Sequence, residues 1–451
     1  MTSDAAHSAL LTDQYQLTML QGYLEHGLDE TAVFELFVRK LPKERNFLIA
    51  AGLAQFLSYV ENLRFAPDDL EYLARCGFRP ALVDYLASFR FTGDVHAMRE
   101  GTIFFPDEPI LRVTAPIAQG QLLETRAINL LHFQTVIASK AARMVLAAPG
   151  KQLVDFGLRR AHGAEAGLMA ARASFLAGFA GTATVLAGQL WNVPTFGTMA
   201  HSFVEAHDDE SAAFEHFALS NPENVTLILD TYDTEAAAHK TVALARKLAE
   251  RGIRIRGVRL DSGDLAAHAR RVRKILNDAA LGEVRILASG GLDEFKLAEL
   301  VAAGAPIDGF GVGTRLDASS DAPYLDCAYK LVAYAGKPRL KRSEGKSTWP
   351  GAKQVYRRYE GGRMARDEIT LAGEASPDGE PIIECAMRGG RRVAPDETLA
   401  EIRGRAAGQL ARLPPALGSL MPAPAYPVAI APAVRELVKQ WDREHPTGGA
   451  P

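Results

Sequence analysis

Cysteine is scarce in this sequence: its 451 residues include only Cys76, Cys327 and Cys385, which lie far apart. The closely spaced cysteine pair of a zinc knuckle is absent, and three distant cysteines do not make a disulfide framework. So few cysteines are typical of a protein from a reducing compartment, and we therefore expect a cytoplasmic protein.

Long hydrophobic runs are also absent. Apolar stretches such as NVTLILD, residues 224–230, are far too short to cross a bilayer, and the N-terminus lacks the basic start and apolar run of a signal peptide. The formal net charge is only -3, which argues against non-specific nucleic-acid binding through bulk electrostatics. We expect neither a membrane nor a nucleic acid as a partner.

The middle of the chain does show a regular pattern, in which strand-like and helix-like segments alternate at nearly constant spacing. These segments are strands at 224–233, 253–261, 283–291 and 306–314, and helices at 234–252, 262–282 and 292–304. Thr234 is the predicted N-cap of the first helix, and Ser262 or Asp264 that of the second. The alternation predicts a parallel sheet, either open or closed into a barrel. Because the last two strands end in glycine, as at the phosphate sites of barrels, we favour the barrel.

The regions on either side follow different patterns, which suggests three domains. Residues 1–124, with predicted helices at 12–27 and 46–62, form an N-terminal α/β domain in this interpretation, residues 125–335 the barrel, and residues 336–451 a C-terminal segment that packs back on the N-terminal domain. The stretch 337–358 is basic. It is either a solvated face or a lid that reaches a phosphate, and its cations include Lys337, Lys341, Arg342 and Lys346.

Carboxylates stand where two of the predicted strands end. In RGVRLDSGDL, Arg259 and Asp261 are two residues apart and so point to the same side of a strand, and Asp230 ends the preceding strand. A carboxylate at this edge can accept hydrogen bonds from ribose hydroxyls or hold a metal through water. The alternative is a structural Arg–Asp pair followed by a helix N-cap.

Small residues end the next two strands, in ILASGGLDE and GFGVGTRL. The backbone N–H groups of such strand-to-helix junctions point outward and favour an anion. Neither stretch matches a Walker A loop or a GxGxxG motif, and glycine at a strand end also serves tight turns. The candidate phosphate-binding residues are Ser289, Gly290, Gly291, Gly313 and Thr314.

Two further stretches carry groups suited to an anionic, planar ligand and to phosphoryl chemistry. In VDFGLRRAHG, the ring of Phe156 can stack on a flat ligand while Arg159 binds a carboxylate; the alternative is a core phenylalanine beside surface arginines. In TFGTMAHSF, His201 is either a general base, a phosphoryl acceptor or a core histidine. The residues alone indicate a phosphate-handling α/β enzyme.

Taken together, these stretches resemble the nicotinate phosphoribosyltransferase family. The matching segments occur in the family's order and cover roughly residues 10 to 335: LLTDQYQLTML, FELFVRKLP, FLIAAGL, DFGLRRAHG, GTATVLAG, GTMAHSF, LILDTYDT, VRLDSGDL, ILASGGLDE, IDGFGVGTRL and AYKLV. The resemblance implies a type II phosphoribosyltransferase fold, which is an irregular α/β barrel with an N-terminal α/β domain, here followed by a C-terminal extension.

The resemblance also implies a reaction. The family joins nicotinate to 5-phosphoribosyl-1-pyrophosphate (PRPP), and this gives nicotinate mononucleotide and pyrophosphate in the salvage route to NAD. ATP is a co-substrate whose hydrolysis is coupled through a phosphohistidine at the position of His201, and Mg²⁺ accompanies ATP and pyrophosphate.

The resemblance further assigns roles to residues. Catalysis is expected of His201, Arg259 and Asp261; nicotinate binding of Tyr15, Phe156, Arg159 and Ala183; and PRPP binding of Asp230, Ser289, Gly290, Gly291, Gly313 and Thr314. In the family the ring at the position of Tyr15 comes from the neighbouring subunit, which implies a homodimer with a shared active site. Lys330 of AYKLV is a further phosphate candidate.

The nature of the base depends on Ala183. Related nicotinamide enzymes have an aspartate there that accepts hydrogen bonds from the amide, and its absence favours a carboxylate ligand, since like charges repel. The alternatives are another pyridine phosphoribosyltransferase, acting on quinolinate or nicotinamide, and a non-catalytic relative that only binds a metabolite.

Overall fold

The computed structural model describes residues 8–343 and 348–445. They divide into two units: the first comprises the described residues of Met1–Ser139 and Ala322–Pro451, and the second comprises Lys140–Asp321. The boundaries inferred from sequence, after residues 124 and 335, remain a prediction.

Sixteen α-helices are found among the described residues. They are α1 (Gln14–Glu25), α2 (Leu53–Asn62), α3 (Pro67–Arg75), α4 (Pro80–Ala87), α5 (Ile117–Leu122), α6 (Glu124–Ala147), α7 (Ala164–Leu176), α8 (Val185–Trp191), α9 (His201–Glu205), α10 (Glu210–Ser220), α11 (Thr234–Ala249), α12 (Leu265–Asp278), α13 (Glu294–Ala302), α14 (Thr314–Asp317), α15 (Leu399–Ala411) and α16 (Pro432–Glu444).

The same part of the chain has nineteen strands. They are β1 (Thr31–Val38), β2 (Leu48–Ile49), β3 (Asp94–Met98), β4 (Ile103–Phe104), β5 (Pro109–Pro116), β6 (Gln152–Asp155), β7 (Gly181–Thr182), β8 (Val225–Ile228), β9 (Ile255–Leu260), β10 (Arg285–Ala288), β11 (Gly309–Val312), β12 (Cys327–Tyr334), β13 (Lys337–Pro338), β14 (Lys353–Glu360), β15 (Arg363–Leu371), β16 (Glu380–Pro381), β17 (Ile383–Arg388), β18 (Arg391–Arg392) and β19 (Val428–Ile430).

The second unit is built on a six-stranded sheet in which every pairing is parallel, in the order β7–β6–β11–β10–β9–β8. The first and last strands of this unit in sequence, β6 and β11, are hydrogen-bonded neighbours, and β7 and β8 are the edge strands. The space between β7 and β8 is occupied by an irregular segment: Thr195 bridges to Thr182 of β7, and the side-chain amide of Asn224 donates a 3.2 Å hydrogen bond to the carbonyl of Gly197. The predicted irregular α/β barrel is confirmed. It is irregular because residues 195–197, which form no strand, lie between β7 and β8.

Aspartates cap α11, α12 and α13, the helices that follow β8, β9 and β10. The carboxylates of Asp233, Asp264 and Asp293 accept hydrogen bonds from the backbone N–H three residues later, which satisfies a donor left free by the first turn. Asp264 was one of the two predicted caps of α12. The prediction of Thr234 as the cap of α11 is wrong, because the cap is Asp233 and Thr234 is buried in the first turn.

The first unit contains an antiparallel seven-stranded sheet, in the order β13–β12–β1–β5–β3–β17–β18. It also contains a four-stranded sheet, in the order β16–β14–β15–β19, in which only β15 and β19 pair in parallel. The core of this unit includes a buried ion pair of 2.6 Å between Lys353 and Glu35. The predicted helix 46–62 is partly wrong, because its first residues form β2. Gly52 adopts a positive φ of 98° against the carbonyl of Leu130, where a side chain would clash, and α2 begins only after it.

The described residues of the basic stretch 337–358 also belong to the first unit. Arg342 pairs with Asp442, whereas Lys346 lies outside the described residues. The choice between a solvated face and a lid therefore remains open. Lys330, on β12, has its Nζ 3.7 Å from a carboxylate oxygen of Glu124.

Candidate active site

The predicted site residues, except Tyr15 and the further phosphate candidate Lys330, all lie in the barrel unit. They occupy the carboxyl edge of the parallel sheet and the loops that follow its strands, where α/β folds place their sites. Tyr15 belongs to the first unit, on α1, with 46% of its surface exposed.

Arg259 joins several strand ends through its guanidinium group. Its Nε donates a 2.9 Å hydrogen bond to the hydroxyl of Ser289, and its Nη2 donates a 2.8 Å bond to Asp261. Its Nη1 donates to the Thr198 hydroxyl at 3.1 Å and to the Met199 carbonyl at 3.3 Å. The guanidinium is therefore fixed between β9, β10 and the segment that completes the barrel.

The same guanidinium lies over the ring of Phe156, 6.0 Å from its centroid. A side chain at position 311 would overlap the ring of Phe156. The ring can therefore lie here only because residue 311 is glycine. A cavity of about 140 Å³ continues from here into the barrel. Its lining includes Phe156, Arg259 and Ser289 at one end and Gln152 and Arg285 at the other. It can hold a small flat ligand next to a cation.

Asp261 is an ionised carboxylate in this setting. Its partial burial raises the pKa, but hydrogen bonds from Arg259 and Ser289 outweigh burial, so the pKa lies below its ordinary value. Asp230 accepts hydrogen bonds at one oxygen from the backbone N–H of Asp261, at 2.9 Å, and from the hydroxyl of Ser262, at 2.5 Å. Its other oxygen is buried and has no partner among the described residues, which leaves it available to a ligand.

His201 begins α9, directly after the segment that completes the barrel. Its Nδ1 shares a 3.2 Å hydrogen bond with the hydroxyl of Thr231, and its Nε2 lies 4.0 Å from Asp261. The side chain is 37% exposed, so the alternative of a core histidine is excluded. An imidazole therefore stands beside the carboxylate that Arg259 holds.

Two turns at this edge present backbone N–H groups. Gly290 has a φ of 92°, and a side chain on it would clash with the carbonyl of Asp261, so only glycine fits this turn. Within the described ranges, the N–H groups of Gly290, Gly291, Gly313 and Thr314 donate no hydrogen bond. Free N–H groups at strand-to-helix junctions are suited to an anion.

The remaining nicotinate candidates are at the surface of the unit. Arg159 is exposed in the short 3₁₀ helix Leu158–Arg160, and in the described part of the chain no partner holds its guanidinium. Ala183 is exposed between β7 and α8, and its N–H donates to the carbonyl of Asp155 at 2.7 Å.

Sequence reasoning missed four residues that hold this site together. Asp155 ends a strand, so the rule that found Asp230 could also have found it. Thr198 and Thr231 lie within the quoted stretches, but a threonine in a loop gives no signal of its own. Asp317 gives none either, because only the packing of α14 brings it to the site.

An irregular parallel barrel with a polar, glycine-lined carboxyl edge is the type II phosphoribosyltransferase fold expected from the sequence. The chain belongs to the nicotinate phosphoribosyltransferase family: the family's N-terminal domain model matches residues 10–132, and its second model matches residues 151–355.

Individual relatives agree over nearly the whole chain. Nicotinate phosphoribosyltransferase pncB2 of Mycobacterium tuberculosis is 49% identical over 428 residues, which cover 94% of this chain and 91% of the relative. The crystal structure of human nicotinic acid phosphoribosyltransferase has a TM-score of 0.87 at 31% identity, and the match covers 95% of this chain and 99% of the human one. Nicotinate-nucleotide pyrophosphorylase of Pyrococcus furiosus has a TM-score of 0.75 at 28% identity, covering 91% and 97%. No helix in the described part of the chain is both long and apolar enough to span a membrane.

Proposed function

We propose that the protein is a nicotinate phosphoribosyltransferase that couples ribosyl transfer to ATP hydrolysis and supplies nicotinate mononucleotide for NAD salvage. The ring nitrogen of nicotinate forms a bond to the anomeric carbon of PRPP, and the bond from that carbon to pyrophosphate breaks. Pyrophosphate leaves with the electron pair. Catalysis of such a step consists mainly of holding the two substrates in line and stabilising charge.

The observation that carries this proposal is the joint position of Arg259, Asp261 and His201 beside turns with free N–H groups. Positive charge develops on the ribose ring as pyrophosphate departs, and an ionised Asp261 is suited to stabilise it or to accept the ribose hydroxyls. The turns at Gly290 and Gly313 would bind the 5-phosphate through their N–H groups.

The nicotinate end of the site is proposed to lie at Phe156. The ring of nicotinate would stack on Phe156, and its carboxylate would meet the exposed guanidinium of Arg159, which has no partner among the described residues. Ala183 offers no anion, so a carboxylate is not repelled there. This favours nicotinate over nicotinamide as the base.

ATP coupling is assigned to His201. The hydrogen bond between its Nδ1 and Thr231 leaves Nε2 as the nitrogen available to accept a phosphoryl group. In this step the γ-phosphorus of ATP bonds to Nε2 and ADP leaves. Water later cleaves the P–N bond, which releases phosphate and restores the imidazole.

Mg²⁺ is the metal that fits this chemistry. In the described part of the chain no cluster of three or more metal-ligating side chains is present, and Mg²⁺ typically binds substrate phosphates with one or two carboxylates and several waters. The buried, unpartnered oxygen of Asp230 and the carboxylate of Asp261 would be its protein ligands. When bound, it would neutralise the charge of the pyrophosphate.

A product assay tests the proposed reaction. Purified protein is incubated with PRPP and Mg²⁺, with nicotinate, nicotinamide or quinolinate as the base, and with or without ATP. We expect nicotinate mononucleotide as the product and a faster rate with ATP. A product from nicotinamide or quinolinate alone would identify another pyridine phosphoribosyltransferase, and no product from any base would favour the non-catalytic relative.

A shared active site in a homodimer forms part of the proposal. Helix α8, which follows Ala183, exposes apolar side chains: Val185 is 77% exposed, Leu186 47% and Leu190 52%. Large exposed apolar surfaces mark interaction sites, and a second copy of the chain would cover this one. The exposed ring of Tyr15 would then reach the partner's site.

Subunit complementation measures this sharing directly. With ATP-stimulated turnover as the measured activity, Tyr15→Ala and His201→Ala are each expected to be nearly inactive as homodimers. If each site combines Tyr15 of one subunit with His201 of the other, a mixed dimer contains one site with both changes and one intact site. Random re-assortment of equal amounts should then restore about a quarter of wild-type activity. A mixture that stays inactive after subunit exchange is verified would show that both residues serve the same subunit's site.

A further inference from the structure

Two aspartates are fully buried beside the predicted nicotinate end of the site. Asp155, the last residue of β6, is 0% exposed, and Asp317, the last residue of α14, is 1% exposed. Both contact Gly157: its N–H donates a 2.8 Å hydrogen bond to Asp155, and a side chain at 157 would overlap the carboxyl group of Asp317. The two carboxyl groups therefore meet around one glycine.

Asp155 is the acceptor at the centre of this arrangement. Besides the N–H of Gly157, it accepts a 2.6 Å hydrogen bond from the hydroxyl of Thr182. The oxygen of that hydroxyl in turn accepts a 3.0 Å bond from the N–H of Thr184. The loop with Phe156 and the turn with Ala183 are thus both tied to one carboxylate.

Asp317 lacks such partners. Both of its oxygens are buried and, within the described residues, neither accepts a hydrogen bond. A buried carboxylate without donors is costly, so this group is favoured in its neutral form, which can donate to Asp155. Burial, together with the charge of Asp155, raises the pKa of Asp317 to about 9.

We propose that Asp317 is a positioning residue that donates a proton it shares with Asp155, and that this bond fixes α14 against the loop of Phe156. The inference rests on the proposed function, because it concerns the ligand-binding turns at the two ends of this contact. Gly313 lies directly before α14 and packs on the Phe156 carbonyl. A Cβ atom at position 313 would lie only 2.9 Å from that carbonyl oxygen. The shared proton thereby couples the nicotinate end to the phosphate end.

Other charged groups belong to the elements packed around the pair. They stand on α14 itself and on two elements that contact it: Arg159 and Arg160 in the 3₁₀ helix, Glu165 and Arg172 on α7, and Arg315 on α14. The charge of Asp155 contributes to the raised pKa of Asp317, so the pair is expected to titrate as a unit.

Thermal unfolding of wild type and Asp317→Asn as a function of pH tests the shared proton without any substrate. The folded pKa of Asp317 is raised above its ordinary value of 3.8. Its contribution to stability is therefore fully present below that value and is lost progressively as the pH rises to about 9. Asparagine has no proton to lose in this range. The Tm of the variant minus the Tm of wild type should therefore increase as the pH rises. A Tm difference that is constant with pH would overturn the proposal.

Steady-state kinetics test the positioning role. Asp317→Ala should raise KM for both nicotinate and PRPP about tenfold, because small misplacements of binding groups are costly. Asp317→Asn can still donate a hydrogen bond to Asp155 and should keep KM near the wild-type value. Above about pH 9, KM of the wild type should rise, whereas KM of Asp317→Asn should stay constant.

The control is Asp278→Asn, which changes an exposed aspartate paired with Lys274 at the end of α12 and should behave as wild type at every pH. If Asp317→Ala lowers Tm but leaves both KM values and their pH dependence unchanged, the pair is only structural and the proposal fails. A wild type without transferase activity would refute the proposed function instead, while the unfolding experiment would still decide whether the proton is shared.

Discussion

Replacing His201 with alanine is expected to abolish the ATP-stimulated part of turnover. The wild type incubated with γ-labelled ATP should retain about one labelled phosphoryl group per chain, and His201→Ala should retain none. Transfer without ATP should persist, since Arg259, Asp261 and the glycine turns are unchanged. Label retention on the denatured protein and initial rates with and without ATP are the two measurements.

His207→Ala provides the matched control. His207 lies just beyond α9 and bonds to the Phe203 carbonyl and to His216, away from the Asp261 carboxylate. The His207→Ala variant should keep both the phosphoryl label and the stimulation of turnover by ATP. Since His201 is partly exposed, its replacement should change the free energy of unfolding by no more than roughly 0.5 kcal/mol. An alanine variant that still takes up label would show that another residue is phosphorylated.

Neutralising Asp261 is expected to have the second large effect. Asp261→Asn has nearly the same shape but removes the negative charge, so Arg259 loses its ionised partner and the ribose loses a stabilising carboxylate. Groups that stabilise charge in the transition state typically contribute about 10²–10³ in rate, and we expect kcat/KM for PRPP to fall by that order. Initial rates over a range of PRPP concentrations check this.

Asp264→Asn is the control for this change, only three residues further along the chain. Asp264 is the N-cap of α12, and asparagine caps a helix equally well. We expect it to keep wild-type kcat/KM and stability. Equal losses in the two variants would show that the effect comes from α12 rather than from the charge of Asp261. A near-wild-type Asp261→Asn would remove this carboxylate from the mechanism.

Much of the site could be predicted from sequence because parallel strands expose their carboxyl ends at one edge. Once 224–314 was recognised as alternating strands and helices, Asp230, Asp261, Ser289 and Gly313 had to fall at the same edge of the sheet. Helix starts were less certain, since Asp233 and Thr234 are both favourable caps and only the backbone geometry selects between them. The predicted helix at 46–62 failed for a related reason, because local periodicity does not show that Leu48 pairs with Phe104 more than fifty residues away.

The sequence by itself determined the alternation of parallel strands and helices, the order of the strands along the chain and the residue types at their ends, because these depend on local patterns of period two and 3.6. Only the tertiary structure decided the contacts between distant segments. These are the hydrogen bonds of Arg259 to Thr198 and Ser289, the hydrogen bond between His201 and Thr231, and the packing of Asp317 on Gly157. Such contacts depend on how loops of unrelated sequence pack around one edge. No short stretch of the chain encodes a hydrogen bond to a partner sixty or more residues away, as Arg259 makes to Thr198.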